Sequence, residues 1–117
     1  MQRLIAPAAR SFRPELILIS CGFDAHQDDP LAAMHVTRAG YRDMGAIARA
    51  LADDLCGGRI LFVLEGGYAA SGSAEGVNAV LDVITSEDAP EIPKNAPVLA
   101  GTVLDTVVEQ VSRVHHL

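Results

Sequence analysis

Two short, unbroken apolar runs constrain this chain more than any other feature. They are Leu16-Ile17-Leu18-Ile19, after Pro14-Glu15, and Ile60-Leu61-Phe62-Val63-Leu64, after Arg59. Neither alternates with polar residues. Such runs, bounded by turn residues, predict strands buried on both faces, as in a parallel sheet. Between them Thr37 stands as an N-cap ahead of Tyr41, Met44, Ile47, Ala48, Leu51 and Leu55, which recur at helical spacing. Gly57-Gly58 then supplies a helix stop. Strand, helix and strand form a βαβ unit with a right-handed crossover, and the fold class is α/β, with parallel strands flanked by helices.

The remaining segments fill in around that unit. A short helix is expected over 3–10, stopped near Ser11, with the first strand over 15–20 and a loop over 21–36. The second strand is expected over 59–64, followed by a tight turn at Glu65-Gly66-Gly67-Tyr68. Ser71 or Ser73 could cap a third helix whose inward residues are Val77, Val80, Leu81 and Ile84. Pro90, Pro93 and Pro97 mark 86–97 as a surface crossing, and a last helix is expected over 99–114, with Val103, Leu104, Val107, Val108 and Val111 on its apolar side. Residues 1–117 thus read as a single partial domain. Two parallel strands do not make a stable sheet by themselves. The chain reads as the end of a larger sheet, completed by another chain or by a missing N-terminal portion. The uncovered apolar surface is expected to drive self-association.

Charge and cysteine usage exclude several function classes. The net charge is −6, with no basic block, so phosphate neutralisation gives no route to nucleic-acid binding. The apolar runs fall far short of the ~20 residues a bilayer needs, and the first residues lack a full apolar signal core. A cytoplasmic protein without a membrane partner is expected. Cys21 and Cys56 stand far apart with no Cys-x-x-Cys, which argues against a disulfide framework or a zinc ribbon.

Both long loops leave the carboxyl ends of the predicted strands, where α/β sheets place ligands. The first carries Asp24, His26, Asp28 and Asp29; the second carries Glu65 and Tyr68 beside Gly66-Gly67. A carboxylate can serve as a zinc ligand, and a tyrosine hydroxyl can donate to a developing oxyanion. Taken singly, each residue has a plainer reading. Asp24 in Gly-Phe-Asp is a turn former or cap, and Asp28-Asp29-Pro30 is a turn. His26 has no second histidine at ligand spacing and reads as an exposed loop residue, as does His35, while His115-His116 read as solvated. Gly66-Gly67 matches neither dinucleotide nor P-loop fingerprints, which leaves nucleotide binding without support.

The combination is more specific than its parts. Pro14 through His26, followed by Asp28-Asp29-Pro30-Leu31, resembles the histone deacetylase superfamily, and so does Gly58 through Tyr68 about forty residues later. The group includes acetoin-utilisation proteins, acetylpolyamine amidohydrolases and class II-like deacetylases. The resemblance covers residues 12 to about 85 and implies part of an arginase/deacetylase-type fold. It implies that Asp24 is a zinc ligand and that the Tyr68 hydroxyl hydrogen-bonds the scissile amide carbonyl. It places Gly66 and Gly67 along the acyl-lysine channel. Leu31 falls where polyamine-selective relatives carry a glutamate, which suggests an acyl-lysine or other neutral-tailed substrate. In such a site zinc polarises the carbonyl and activates water, and a histidine takes the proton. The family's paired histidines and its Asp-x-His zinc ligands lie upstream of the matched segment and have no counterpart here. The isolated chain is therefore expected to be an inactive C-terminal portion of a zinc-dependent deacetylase. The alternative is a non-catalytic module that associates with itself or with a partner.

Overall fold

The computed structural model describes residues 1–92 and 100–117. Its element order is α1 (Ile5–Phe12), β1 (Ile17–Cys21), α2 (Arg38–Cys56), β2 (Ile60–Leu64), α3 (Ala70–Ile84) and α4 (Val103–His115). β1 and β2 pair in parallel, with Ile17 opposite Ile60 and Cys21 opposite Leu64, and α2 is the crossover. The predicted βαβ unit is present.

Each boundary of α2 follows from local chemistry. The Thr37 side chain accepts from the Gly40 N–H, satisfying an orphan donor of the first turn. Gly57 takes up the left-handed conformation at φ 60° and sends its N–H back to the Ala52 carbonyl. The buried stripe of α2 is Tyr41, Gly45, Ala46, Ile47, Ala48, Leu51, Ala52 and Cys56, while the expected core residue Met44 is 37% exposed. Small residues set the α2–α3 contact. A methyl built on Gly45 would sit 3.7 Å from the Val80 Cα, so the two helices approach almost backbone to backbone. Arg38 pairs with Asp82 at 2.6 Å, and Arg49 donates to the Val83 carbonyl at 2.6 Å, tying the far end of α3 to α2.

Three expectations about burial need correction. First, neither strand is buried on both faces. Ile17, Ile19, Cys21, Ile60 and Phe62 are half-buried beneath the helices, whereas Leu18, Leu61 and Val63 on the opposite face are exposed. No element among the described residues covers that face. Second, the inward side of α3 is Gly72, Gly76, Ala79, Val80 and Val83; Leu81 is exposed, and Val77 and Ile84 are half-buried. Third, α4 buries none of its residues, and its predicted apolar side lies open at Val103 and Leu104. α4 starts after Thr102, which caps the Asp105 N–H, rather than at Leu99. The described part of the proline-rich crossing, 86–92, is irregular, and Pro93, Pro97 and Leu99 lie outside the described residues.

The core comes in two parts. Ala6, Ile47 and Leu51 join α1 to α2, with Ile17 and Leu55 against them. Phe23, Tyr41, Ala79 and Val80 form the second cluster, directly beneath the loops that leave the strands.

Candidate active site

The loop after β1 and the loop after β2 are stitched together by backbone. Phe23 N–H donates to the Gly66 carbonyl at 2.7 Å, and Glu65 N–H donates to the Cys21 carbonyl at 3.2 Å. Phe23, 3% exposed, anchors the first loop in the core, with its ring 5.0 Å from that of Tyr41 and against Gly76 of α3. That anchor sets the direction of the next residue, Asp24.

The half-buried Asp24 carboxylate lies over glycine on both loops. A methyl built on Gly66 would sit 2.6 Å from its Oδ2, and one built on Gly22 would sit 2.9 Å from its Oδ1. No hydrogen bond or ion pair engages this carboxylate among the described residues, so it is free to serve as a ligand. The same residues contain no group of three or more His, Cys, Asp or Glu side chains able to hold a metal. Structural and catalytic zinc sites both need at least three protein ligands. Asp24 could offer one ligand, and the donors among the described residues do not by themselves fit a complete zinc site.

Tyr68 follows Gly67, whose φ of 138° and close approach to Ser73 Oγ both demand glycine. The Tyr68 side chain is 64% exposed. Gly66 and Gly67 are half-buried beside it, and Leu31 on the first loop is 70% exposed. The five predicted site residues therefore lie on two joined loops at the carboxyl ends of the strands.

Two residues given plainer readings turn out to organise these loops. His26 is fully buried rather than exposed. Its Nδ1 accepts from the Asp28 N–H at 3.2 Å, its ring stacks 6.2 Å from that of Tyr41, and a methyl on Gly72 would sit 2.5 Å from Nδ1. Its Nε2 lies 3.5 Å from Glu75 Oε2 and makes no hydrogen bond. Asp29 does form the expected turn, accepting from Leu31 N–H at 2.9 Å. Its other oxygen accepts from Tyr68 N–H at 2.7 Å and Ala69 N–H at 3.1 Å. Burial would push the Asp29 carboxyl up, but these three N–H groups and the nearby His26 outweigh it and hold the carboxyl below its ordinary value. No local signal in the sequence marks these two roles, because the partners lie far along the chain. Neither Ser71 nor Ser73 caps α3, whose N-cap is Ala69 and has no side-chain acceptor of its own. The Ser73 hydroxyl is buried without a partner. Tyr41 was foreseen as core, yet its hydroxyl is also buried without a hydrogen bond, and burial, then Asp24, Cys21 and Asp29, push the phenol up.

Comparison with known proteins identifies the family. The model of the histone deacetylase domain matches residues 1–84. The chain is 40% identical over 110 residues to histone deacetylase 15 of Arabidopsis thaliana, covering 91% of this chain and 19% of that protein. It is 47% identical over 68 residues to the histone deacetylase-like amidohydrolase of Pseudomonas aeruginosa, covering 58% of this chain and 18% of that one. Among solved structures, the HDA15 HD domain superposes with a TM-score of 0.73 at 36% identity, over 97% of this chain and 30% of that one. The chain thus spans about a fifth of the length of these curated relatives. Matched by the family model over residues 1–84 and superposing on a solved deacetylase domain, it belongs to the histone deacetylase domain family.

Proposed function

We propose that this chain is the C-terminal portion of a zinc-dependent, deacetylase-like amidohydrolase acting on acyl-amide bonds of the acetyl-lysine kind. The observation that carries this reading is the pairing of Asp24 and Tyr68 on two loops joined by the Phe23–Gly66 hydrogen bond. Asp24 would contribute one ligand to zinc, a metal that supplies Lewis-acid activation of the acyl carbonyl; the other ligands would come from outside the chain. The Tyr68 hydroxyl would donate to the carbonyl oxygen as negative charge builds on it. Gly66 and Gly67 would let an extended acyl chain pass close to backbone, with the neutral Leu31 at the rim. By itself the chain would be inactive and hold little zinc.

The test is a chimaera in which the matched segment of the Pseudomonas amidohydrolase is replaced by that of this chain. The chimaera should bind zinc and hydrolyse an acetyl-lysine peptide. Tyr68→Phe should cut turnover by ~10²–10³-fold with zinc retained, the usual cost of losing an oxyanion donor. Unchanged turnover would sink the assignment.

A second reading rests on the open sheet face at Leu18, Leu61 and Val63. It is a non-catalytic module that associates through that face. The chimaera separates the two: zinc binding and hydrolysis support the half-site, whereas a folded chimaera that does neither, beside a chain that forms a defined oligomer, supports the module.

A further inference from the structure

The Tyr68 side chain is largely exposed, so packing does not hold it in place. The backbone before it runs through Gly66 and Gly67, which can swing more freely than any other residue pair. The helix after it has no N-cap side chain of its own. What fixes the Tyr68 backbone is a carboxylate from the other loop. Asp29 Oδ2 takes the N–H groups of Tyr68 and Ala69, and Oδ1 takes that of Leu31.

Asp29 is itself well placed to hold both sides. It is 6% exposed, and its N–H donates to the His26 carbonyl at 3.0 Å. His26 in turn donates its N–H to the Phe23 carbonyl at 3.1 Å and lies buried against Gly72 of α3. The turn from Phe23 to Asp29 is therefore embedded between the core and α3, and the carboxylate at its end reaches both loops. Carboxylate bonds to backbone N–H are stronger than neutral ones.

We propose that Asp29 is a positioning residue that clamps the Tyr68 backbone to the Leu31 turn, so that the phenol and the rim of the acyl channel are set by one side chain. The clamp itself stands on geometry; its consequence for catalysis rests on the amidohydrolase reading above. Asp29 touches no substrate in this role and acts through Tyr68 and Leu31.

The clamp can be read in the 117-residue chain without any turnover, by residue-resolved amide hydrogen exchange. In Asp29→Ala the Leu31, Tyr68 and Ala69 amides should exchange roughly ten- to a hundredfold faster, the usual scale for a hydrogen bond to a charged group. Amides of β2 and of mid-α2 should keep their protection. Asp29→Asn gives a sharper signature. Its single carbonyl oxygen can serve one loop, while its NH₂ faces the N–H of the other. Protection should persist at Leu31 or at Tyr68 and Ala69, but not at both. A uniform loss across β2 and α2, or no change at the three amides, would overturn the proposal.

In the chimaera, Asp29→Ala should lower kcat about tenfold or more with little change in KM, and Asp29→Asn should lower it less. If Tyr68→Phe leaves turnover intact while the exchange pattern is found, the clamp stands and the assigned chemistry falls. If the exchange pattern is missing, the clamp falls whatever the chimaera does.

Discussion

Gly45→Ala and Gly76→Ala are the same chemical change on facing helices, and the structure assigns them different effects. Each replaces a buried glycine within a helix, where alanine is favoured by about 1 kcal/mol. At Gly45 the new methyl would rest 3.7 Å from the Val80 Cα, which is ordinary van der Waals contact. The propensity gain should therefore survive, leaving this variant about 1 kcal/mol more stable. At Gly76 the methyl would overlap Phe23 Cδ1 and sit 2.7 Å from Cε1. The ring cannot swing away freely, because it is 3% exposed and packs on Tyr41. Overfilling a core typically costs ~1–3 kcal/mol, which offsets or exceeds the propensity gain. The gap between the variants should thus be about 1–3 kcal/mol, with Gly76→Ala the weaker. Urea unfolding followed by far-UV circular dichroism measures it. With slopes of ~1–3 kcal/mol per molar urea, the midpoints should separate by about 1 M. Equal midpoints, or Gly76→Ala the more stable, would refute the close packing of α3 on the Gly-Phe-Asp loop.

Asp29 should leave a mark on acid stability. Its carboxyl lies below the ordinary value of 3.8, so its contribution is complete above that pH and fades as the pH falls through the lower folded value. Asp29→Asn should flatten that acid limb in a pH series of unfolding midpoints, and an unchanged slope would count against the clamp. The exposed face at Leu18, Leu61 and Val63 should make the chain associate, and Leu18→Glu with Leu61→Lys should shift light scattering toward a monomer; a wild-type monomer at all concentrations would contradict this. Burial pushes the Cys21 thiol up, and Cys56 is buried with its Sγ donating to the Arg59 carbonyl at 3.2 Å. Both should react slowly with a thiol reagent at neutral pH until the chain unfolds, and rapid native labelling would show that the strand ends are open.

The backbone plan was legible because it rests on local patterns. Two apolar runs, one capped helix and a Gly-Gly stop sufficed for the βαβ unit. Burial was less legible, because it depends on neighbours. Leu18 and Leu61 look like core in any window of sequence, yet nothing in the described residues lies over them. On α3 the eye goes to Val77 and Leu81, while the His26 and Phe23 rings of the first loop select Gly72 and Gly76 instead. Asp24 and Tyr68 could be named from motif, and their loops do meet. His26 and Asp29 could not be recognised as organisers, since their partners lie on α3 and at Tyr68, roughly forty to fifty residues away in the chain. A loop histidine looks solvated until the glycine that makes room for its ring is known.

The parallel pairing also sets an order of events during synthesis. Ile17 finds its partner in Ile60, about 43 positions later, with all of α2 between. Ribosomes add ~5–20 residues per second, so β1 waits roughly 2–9 s before its hydrogen-bonding partner exists. During that interval Leu16-Ile17-Leu18-Ile19 is an uncharged, apolar segment without its β2 partner, the kind of stretch that chaperones hold and that crowded chains mispair. Distant pairing of this sort also slows folding, because loop closure precedes any reward from the contact. The topology that brings the two loops together thus gives the nascent chain its most vulnerable interval before either loop has formed.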